Sequence, residues 1–587
     1  MKTLFQIIGY LDRSERIRFF GVVFAFVLTS LVEAFTLMLL VPYIGIVSQD
    51  PKMIDRFTGL LGVSYTNRQL FIGFSIFFCV MMVLKSLLQL NSNHQLTKYP
   101  YQFYQERTSR LFERYLTQDY SQFVNQETGT MVKHCNQTSF YATQAVYQQL
   151  LILSYFIITT FLFTAILVQD FLGSLSLIAL FGVISWSIFV LNKKPVKKMG
   201  NELIEYTKQA YHCVLESFHL FKEAKLYRKT DLFTEKFRHY LIKIANNYRR
   251  KEFLSYLPTV FVELVAVLLL IAILTYAYLT DGITAQFTAA LIFYAAVGRR
   301  ILPSINQLIY QAINLQHSLE SLETIEKELD QFSQPSARKK TSALDFHESV
   351  EFRDVCFSYE QDRLVLDRVC FKIPKNRSVA FVGPSGGGKS TIIDMLIGLI
   401  HPDSGAICVD GKTCQDLVPL QHLIGYVPQS IALINDTIAR NIALGDHDID
   451  KKRIEEVLVA SHLKEFVDSL PNGAQTVVGD KGIKISGGQM QRIGIARALY
   501  QQPEIIVFDE ATSSLDHLSE LVISQSMREM MGQKTVVAVA HRLSTVSHFD
   551  CIYVLDQGRV IASGTHEELM QTCSLYQSLN QAKICVG

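Results

Sequence analysis

Before about residue 320 the chain carries six runs of mostly apolar residues, at roughly 19–47, 69–90, 146–168, 171–191, 257–279 and 284–310. Each is long enough to cross a bilayer, which takes about 20 apolar residues in helical form. In hydrocarbon every backbone N–H and C=O must find its partner within the segment, so these runs predict helices and exclude irregular chain. No other feature restricts the fold as strongly. The 49% hydrophobic content and positive mean hydropathy of +0.19 belong to this part of the chain. Beyond residue 320 the apolar residues fall into shorter strand-like and helix-like pieces, so the 587 residues predict at least two domains. A net charge of +2 offers no grip for nucleic acid, and no nucleic-acid partner is expected. Ten cysteines without paired spacing read as reduced thiols.

The connections 91–145 and 192–256 are polar but lack the Gly and Pro density of loops, which predicts long helices projecting from the membrane. The opening stretch MKTLFQIIGYLDRSERIRFF is amphipathic and has no small-residue cleavage pattern. It is expected to lie along the inner membrane surface rather than to be a removable signal. The 192–256 connection is rich in basic residues, among them Lys193, Lys194, Lys197, Lys198, Lys222, Lys225, Arg228, Lys229, Arg249, Arg250 and Lys251. The opposite side shows only Lys52, Arg56 and Arg68 beside several aspartates, so the long polar segments and both termini are expected in the cytoplasm.

Glu33, Lys85, Glu263, Arg299 and Arg300 fall inside the predicted spans. A charge at the centre of a span costs roughly 2.5–3.5 kcal/mol on insertion scales, so such residues face protein or water. Two readings stand side by side. Lys85 can snorkel to headgroups while the glutamates pair with the cations. Alternatively, Lys85, Arg299 and Arg300 line a cavity open to the inner leaflet and attract an anionic headgroup. Pro303, just after the arginine pair, removes a backbone donor and can bend its helix.

QFSQPSARKKTSALD, 331–345, has linker composition, and alternating strand and helix patterns follow it. VAFVG, 379–383, reads as a buried strand running into GPSGGGKST, the pattern G-x-x-x-x-G-K-[ST] in its strand-before, helix-after setting. Gly383, Pro384, Ser385, Gly386, Gly387, Gly388, Lys389, Ser390 and Thr391 therefore form a phosphate loop. Its backbone N–H groups close on phosphate oxygens, and the following helix adds its positive dipole end. Lys389 can reach the β- and γ-phosphates of ATP, and the Ser390 hydroxyl can hold Mg²⁺. EIIVFDE, 504–510, is a second apolar strand ending in two carboxylates. Asp509 suits the outer shell of the metal, and Glu510 suits the base that orients attacking water. A second glycine loop, ISGGQMQRIGIARAL, also opens a helix.

In this order the phosphate loop, ISGGQ and IIVFDEATSSLD resemble the nucleotide-binding domain of ABC transporters, and six spans ahead of them resemble the exporter half-transporters. The resemblance implies a six-helix membrane domain of the type IV exporter fold over 1–330, a linker over 331–345 and an α/β P-loop domain over 346–587. It places Tyr359 against adenine, Gln429 on Mg²⁺ and as a sensor of the membrane domain, His541 on the γ-phosphate, and Asp516 between two active sites. It also implies that Ser486, Gly487, Gly488 and Gln489 complete the ATP site of a partner chain, so that two copies, or a copy and a close relative, form two sites. Val477 stands where many exporters carry glutamate in the loop facing the membrane helices, and Ile485 replaces the more usual leucine.

Coupling helices are implied near RYLTQDYSQF, 114–123, and FKEAKLYRKTD, 221–231. Within the exporters, VEAFTLMLLVPYIGIV and GRRILPSINQLI are most similar to bacterial flippases for lipid-linked oligosaccharides. This implies residence in the bacterial inner membrane, with the 51–65 segment resting on its outer surface. The alternatives are an exporter of peptide or of another lipid, and an ATPase that regulates a membrane partner without transporting. Glu510 and His541 speak for turnover.

Overall fold

The computed structural model describes residues 12–47, 67–169, 171–279, 285–331, 344–359, 364–444, 448–479, 485–510, 517–540 and 542–584, with Gly9 and Asp446. The chain divides into two compact units. One comprises 1–118 and 126–335, and the other joins 119–125 to 336–587.

The first unit is helical. Its elements are α1 (Arg13–Met38), α2 (Leu40–Val47), α3 (Asn67–Thr117), α4 (Tyr120–Val124), α5 (Thr128–Lys133), a π-helical turn (His134–Thr138), α6 (Ser139–Gln169), α7 (Phe171–His219), α8 (Phe221–Leu226), α9 (Thr230–Leu279) and α10 (Ala285–Gln331). Of these, α4 clusters with the second unit. The expected runs 69–90, 146–168, 171–191 and 257–279 each lie inside one of the longer helices, as does the described part of the sixth, from Ala285, while the first is divided at Leu39. Pro42 is the physical cause: it cannot donate to the Met38 carbonyl, and its ring crowds that carbonyl. By contrast, α10 continues unbroken through Pro303.

Among the described residues, Arg13–Ile44, Arg68–Thr117, Thr128–Leu167 and Thr230–Ala272 are long and apolar enough to cross a membrane. The apolar window in α3 is only 6% buried, against 44% in the first stretch. Ile72, Ile76, Val80, Val83, Leu87 and Leu90 are exposed along it at three- and four-residue spacing, a face made for lipid or for another chain. The polar connections are helical, as their composition predicts: α3, α7 and α9 each run some 49 to 51 residues without a break. The outer-surface assignment for 51–65 and most of the amphipathic start lie outside the described residues.

Beyond the apolar runs an ion-pair network joins three of the helices. Arg107 of α3 lies 3.0 Å from Glu15 of α1 and 3.5 Å from Glu326 of α10. All three are buried. Burial pushes the Glu326 carboxyl up to about 7, opposed by the adjacent Arg107 charge.

The second unit contains two sheets. An antiparallel one has strand order β2-β1-β4-β5, with β1 Ser349–Ser358, β2 Leu364–Pro374, β4 Ser404–Val409 and β5 Lys412–Thr413. The other has order β10-β9-β3-β8-β7-β6, with β3 Ser378–Val382, β6 Ile424–Val427, β7 Ile505–Asp509, β8 Thr535–Val539, β9 Cys551–Asp556 and β10 Arg559–Gly564. Its strands β9, β3, β8, β7 and β6 are parallel, and β3 and β8 are buried along their whole length. That burial explains their continuous Val, Ala and Phe content, because both faces of a parallel sheet are covered. Phe371 of β2 joins the sheets, stacking on Phe352 at 4.2 Å and meeting Phe381 of β3 edge-on at 4.9 Å.

Candidate functional site

The site is assembled where β3, β8 and β7 end together. Phe381 pairs with Val539, which pairs with Asp509, so one row of the sheet carries the start of the phosphate loop and the first acidic residue. Parallel strands bring their carboxyl ends to one edge, the usual place for a ligand in an open α/β sheet. The Glu510 backbone N–H donates to the Val539 carbonyl at 3.1 Å, which holds this residue at a φ of 48°.

From β3 the chain turns through Gly383 and Gly388 into α11 (Lys389–Leu396). Gly388 caps the helix at φ 95°, and a Cβ there would sit 2.6 Å from Leu366 Cδ2. A Cβ on Gly383 would come within 2.0 Å of the Leu555 carbonyl oxygen. Only glycine fits either place, and the result is a tight loop of backbone between β3 and α11. Lys389 is 5% exposed, and its Nζ donates to the carbonyls of Gly383 at 2.9 Å and Pro384 at 2.8 Å. Burial lowers its pKa, while the Glu510 and Asp509 charges oppose the shift. A buried ammonium hydrogen-bonded, among the described residues, to neutral carbonyls, beside N–H groups at a helix start, fits a polyphosphate.

Two carboxylates face this loop. Asp509 accepts from the Tyr426 hydroxyl at 3.0 Å, and Glu510 accepts from Gln429 Nε2 at 2.8 Å. Asp394 of α11 is pushed up to about 6, first by burial and then by the Asp509 charge. Together with the Ser390 hydroxyl at the start of α11, this donor set of hydroxyl, amide and carboxylate suits Mg²⁺, which keeps phosphate and water in its shell.

The second glycine loop lies elsewhere in the unit. Ser486 caps α12 (Gly487–Tyr500): its Oγ accepts from the Gln489 N–H at 3.3 Å, and the Gln489 side chain accepts from the Ser486 N–H at 3.0 Å. Among the described residues the Ser486 hydroxyl proton has no acceptor and is left to donate. Helix α12 packs on β6, where a Cβ on Gly425 would come within 2.6 Å of the Ala498 carbonyl oxygen. The Gln491 side chain donates to the Pro428 carbonyl at 3.2 Å, one residue before Gln429. Since β6 is three strands from β3, the helix packs about 14 Å across the sheet from the strand that bears the phosphate loop.

Tyr359, one residue past β1, is 40% exposed, its ring edge-on to buried Phe357 at 4.9 Å. His541 and Asp516 lie outside the described residues. In the first unit, Lys85 and Arg300 do meet, but around a carboxylate. Glu33, 2% exposed, lies 3.2 Å from Lys85 Nζ and 2.7 Å from Arg300 Nε. Arg299 is exposed, and Glu263 is also exposed without an ion pair among the described residues. The pairing reading holds for Glu33 and not for Glu263, and Arg299 does not join the cluster.

Tyr426 and Asp394 escaped the sequence analysis, and Tyr120 entered it only as part of the segment 114–123. Tyr426 stands two residues ahead of Pro428 within GYVPQS, so its nearness to the glutamine was a usable signal. Nothing local marks Asp394. Tyr120 of α4 packs against the core cluster that contains Ile393 and Leu396 of α11, within the second unit.

Comparison with known proteins agrees with this geometry. A family profile described as ABC transporter matches residues 366–513. The ATP-dependent lipid A-core flippase of Coxiella burnetii is 34% identical over 436 residues, covering 71% of this chain and 72% of its own. That of Saccharophagus degradans is 39% identical over 291 residues, spanning 49% of each chain. The structure of a bacterial Atm1-family ABC exporter with ATP bound superposes with a TM-score of 0.76 at 24% identity, covering 97% of this chain and 99% of that one. A helical membrane domain followed by its own nucleotide domain, with these relatives, places the chain in the ABC transporter family as an exporter-type half-transporter that couples ATP hydrolysis to transport.

Proposed function

We propose that two copies of this chain form a flippase in a bacterial inner membrane, moving a phosphate-bearing glycolipid from the cytoplasmic to the outer leaflet. The observation that carries the cargo class is the Lys85–Glu33–Arg300 cluster inside the spans. It holds two cations on one buried carboxylate, an excess of positive charge that an anionic headgroup neutralises. Relatives named as lipid A-core flippases favour lipid A-core or a similar glycolipid, and a lipid-linked oligosaccharide is the narrower variant of the same chemistry. Exposed Arg299 would add a further cation on the same helix.

In this reading the membrane domain spans 1–330, the linker 331–345 and the cytoplasmic nucleotide domain 346–587. Tyr359 stacks on adenine, and the loop from Gly383 to Thr391 wraps the phosphates. Mg²⁺, when bound, neutralises phosphate charge and is held by Ser390, Gln429 and Asp509. Glu510 orients and deprotonates the attacking water, and His541 contacts the γ-phosphate. Ser486, Gly487, Gly488 and Gln489 act on the ATP of the partner copy. Their helix packs at the far side of the sheet from β3, and the free Ser486 proton suits an anion brought from outside. Asp516 lies between the two sites. ATP then closes the pair, closure favours the outward-open state, and hydrolysis releases it.

The test is reconstitution in liposomes with fluorescent lipid A-core, a lipid-linked oligosaccharide and a peptide, measuring ATP-dependent transfer. Transfer of either glycolipid by the intact chain, lost in a Lys85→Gln/Arg299→Gln/Arg300→Gln variant that still hydrolyses ATP, supports the reading. Transfer of the peptide alone, or full glycolipid transfer by that variant, overturns it.

A further inference from the structure

The segment that carries Gln429 leaves the sheet just before it reaches the site. Pairing of β6 with β7 ends at Val427, opposite Phe508, and Gln429 itself is exposed, so packing does not fix its side chain. The neighbouring helix supplies the hold. Gln491 of α12 is 5% exposed, and its Nε2 donates to the Pro428 carbonyl at 3.2 Å. Further along α12, Gly494 lies so close to Ile431 that a Cβ would come within 2.3 Å of Ile431 Cδ1. Arg497 closes the clasp, its Nε donating to the Asn441 carbonyl at 2.9 Å and its Nη2 to the Ala432 carbonyl at 3.1 Å. The chain is thus laid along α12 at Pro428, Ile431, Ala432 and Asn441.

The first of these contacts bears on the site directly. A peptide group is planar, so the Pro428 carbonyl and the Gln429 N–H share one plane that ends on the Gln429 Cα. Proline fixes its own φ, which leaves ψ at Pro428 as the soft torsion that tilts this plane. The Gln491 bond grips the oxygen that ψ would swing. It thereby sets the direction in which the Gln429 side chain leaves the backbone, toward Glu510 Oε2 at 2.8 Å.

We propose that Gln491 is a positioning residue for Gln429: by holding the Pro428 carbonyl it aims the Gln429 amide at the metal side of the phosphate loop. Gln491 is buried and acts through Pro428 rather than on the ATP. This role rests on Gln429 being a ligand of Mg²⁺, as proposed for the transport cycle. Helix α12 begins just after Ser486, about 7.5 Å along the helix from Gln491, so a shift of the Ser486 loop is carried to the pose of Gln429.

The experiment uses the full-length protein with a non-hydrolysable ATP analogue and Mn²⁺ in place of Mg²⁺, metal affinity being read by EPR and ATP turnover by phosphate release. Gln491→Met keeps the length of the side chain and removes the donor. It should weaken Mn²⁺ about tenfold and lower kcat by a similar factor, the effect of one hydrogen bond. Affinity for the analogue without metal should stay at the wild-type value, which also reports the folded fraction. Gln429→Ala should show the same losses, and adding Gln491→Met to it should cost nothing further, because the residue it positions is gone. Additive losses in the double variant, wild-type Mn²⁺ affinity in Gln491→Met, or equal weakening of the metal-free analogue would each overturn the positioning role and leave Gln429 as a ligand. Unchanged Mn²⁺ affinity in Gln429→Ala would instead overturn the metal reading of Gln429, and the role of Gln491 with it.

Discussion

Two cationic sites, one in each unit, are built on opposite principles. In the nucleotide unit Lys389 is held by two neutral carbonyls, and its burial lowers its pKa. In the membrane unit Lys85 and Arg300 share the full charge of Glu33. Carbonyls are weak partners that a phosphate displaces readily, so the first site is kept ready for its ligand. A carboxylate is a strong partner, and in a low-dielectric span its removal leaves two uncompensated charges. One arrangement therefore serves ligand binding at little cost to the fold, and the other makes the fold depend on charge balance.

The contrast can be sharpened by variants. The largest effect should come from Glu510→Gln, which removes the assigned base while leaving the Gln429 side chain a partner. Phosphate release should fall by about 10²–10⁴-fold with ATP still retained. Glu33→Gln should come next, destabilising the membrane unit by about 1–3 kcal/mol in thermal melts, since the two cations it leaves are partly exposed. Adding Lys85→Met should recover part of that loss, and strict additivity of the two changes would break the comparison. Lys389→Met should weaken nucleotide binding by about 10–100-fold, the loss of one or two charge-assisted contacts, with far less effect on melting than Glu33→Gln. Tyr426→Phe removes a single hydrogen bond to Asp509, so hydrolysis should drop by no more than about tenfold in a steady-state assay.

The smallest effect concerns pH. Glu326 has its folded pKa raised from 4.5 to about 7, so between these values the folded chain binds more protons than the unfolded one. Its contribution to stability is complete below about pH 4.5 and is lost as pH rises toward 7. The melting temperature of Glu326→Gln should therefore vary less with pH over that window than that of wild type. Parallel curves would remove Glu326 from this role.

Much of the site was legible. Strand, glycine loop and lysine are contiguous in VAFVGPSGGGK, and the left-handed φ at Gly388 is a demand of local chain geometry that only glycine meets without strain. The helical reading of the polar connections also follows from their lack of breakers. Legibility ends where partners are distant. Tyr426 and Asp509 are 83 residues apart, and the Gln429–Glu510 bond spans 81. The three ionisable residues singled out as a cationic cavity proved to be two cations on a glutamate and one exposed arginine.

Run length, backbone chirality and the cost of unpaired backbone in hydrocarbon act within a few residues of chain, so the apolar helices, the glycine loop between strand and helix and the α/β character were legible in the sequence alone. Which helix face meets which was not, because Arg300 reaches Glu33 across 267 residues. Such pairings arise from packing, in which a side chain's partner is chosen by the shape of the whole helical bundle. The tertiary structure decided which charges are spent on the fold and which remain for a ligand.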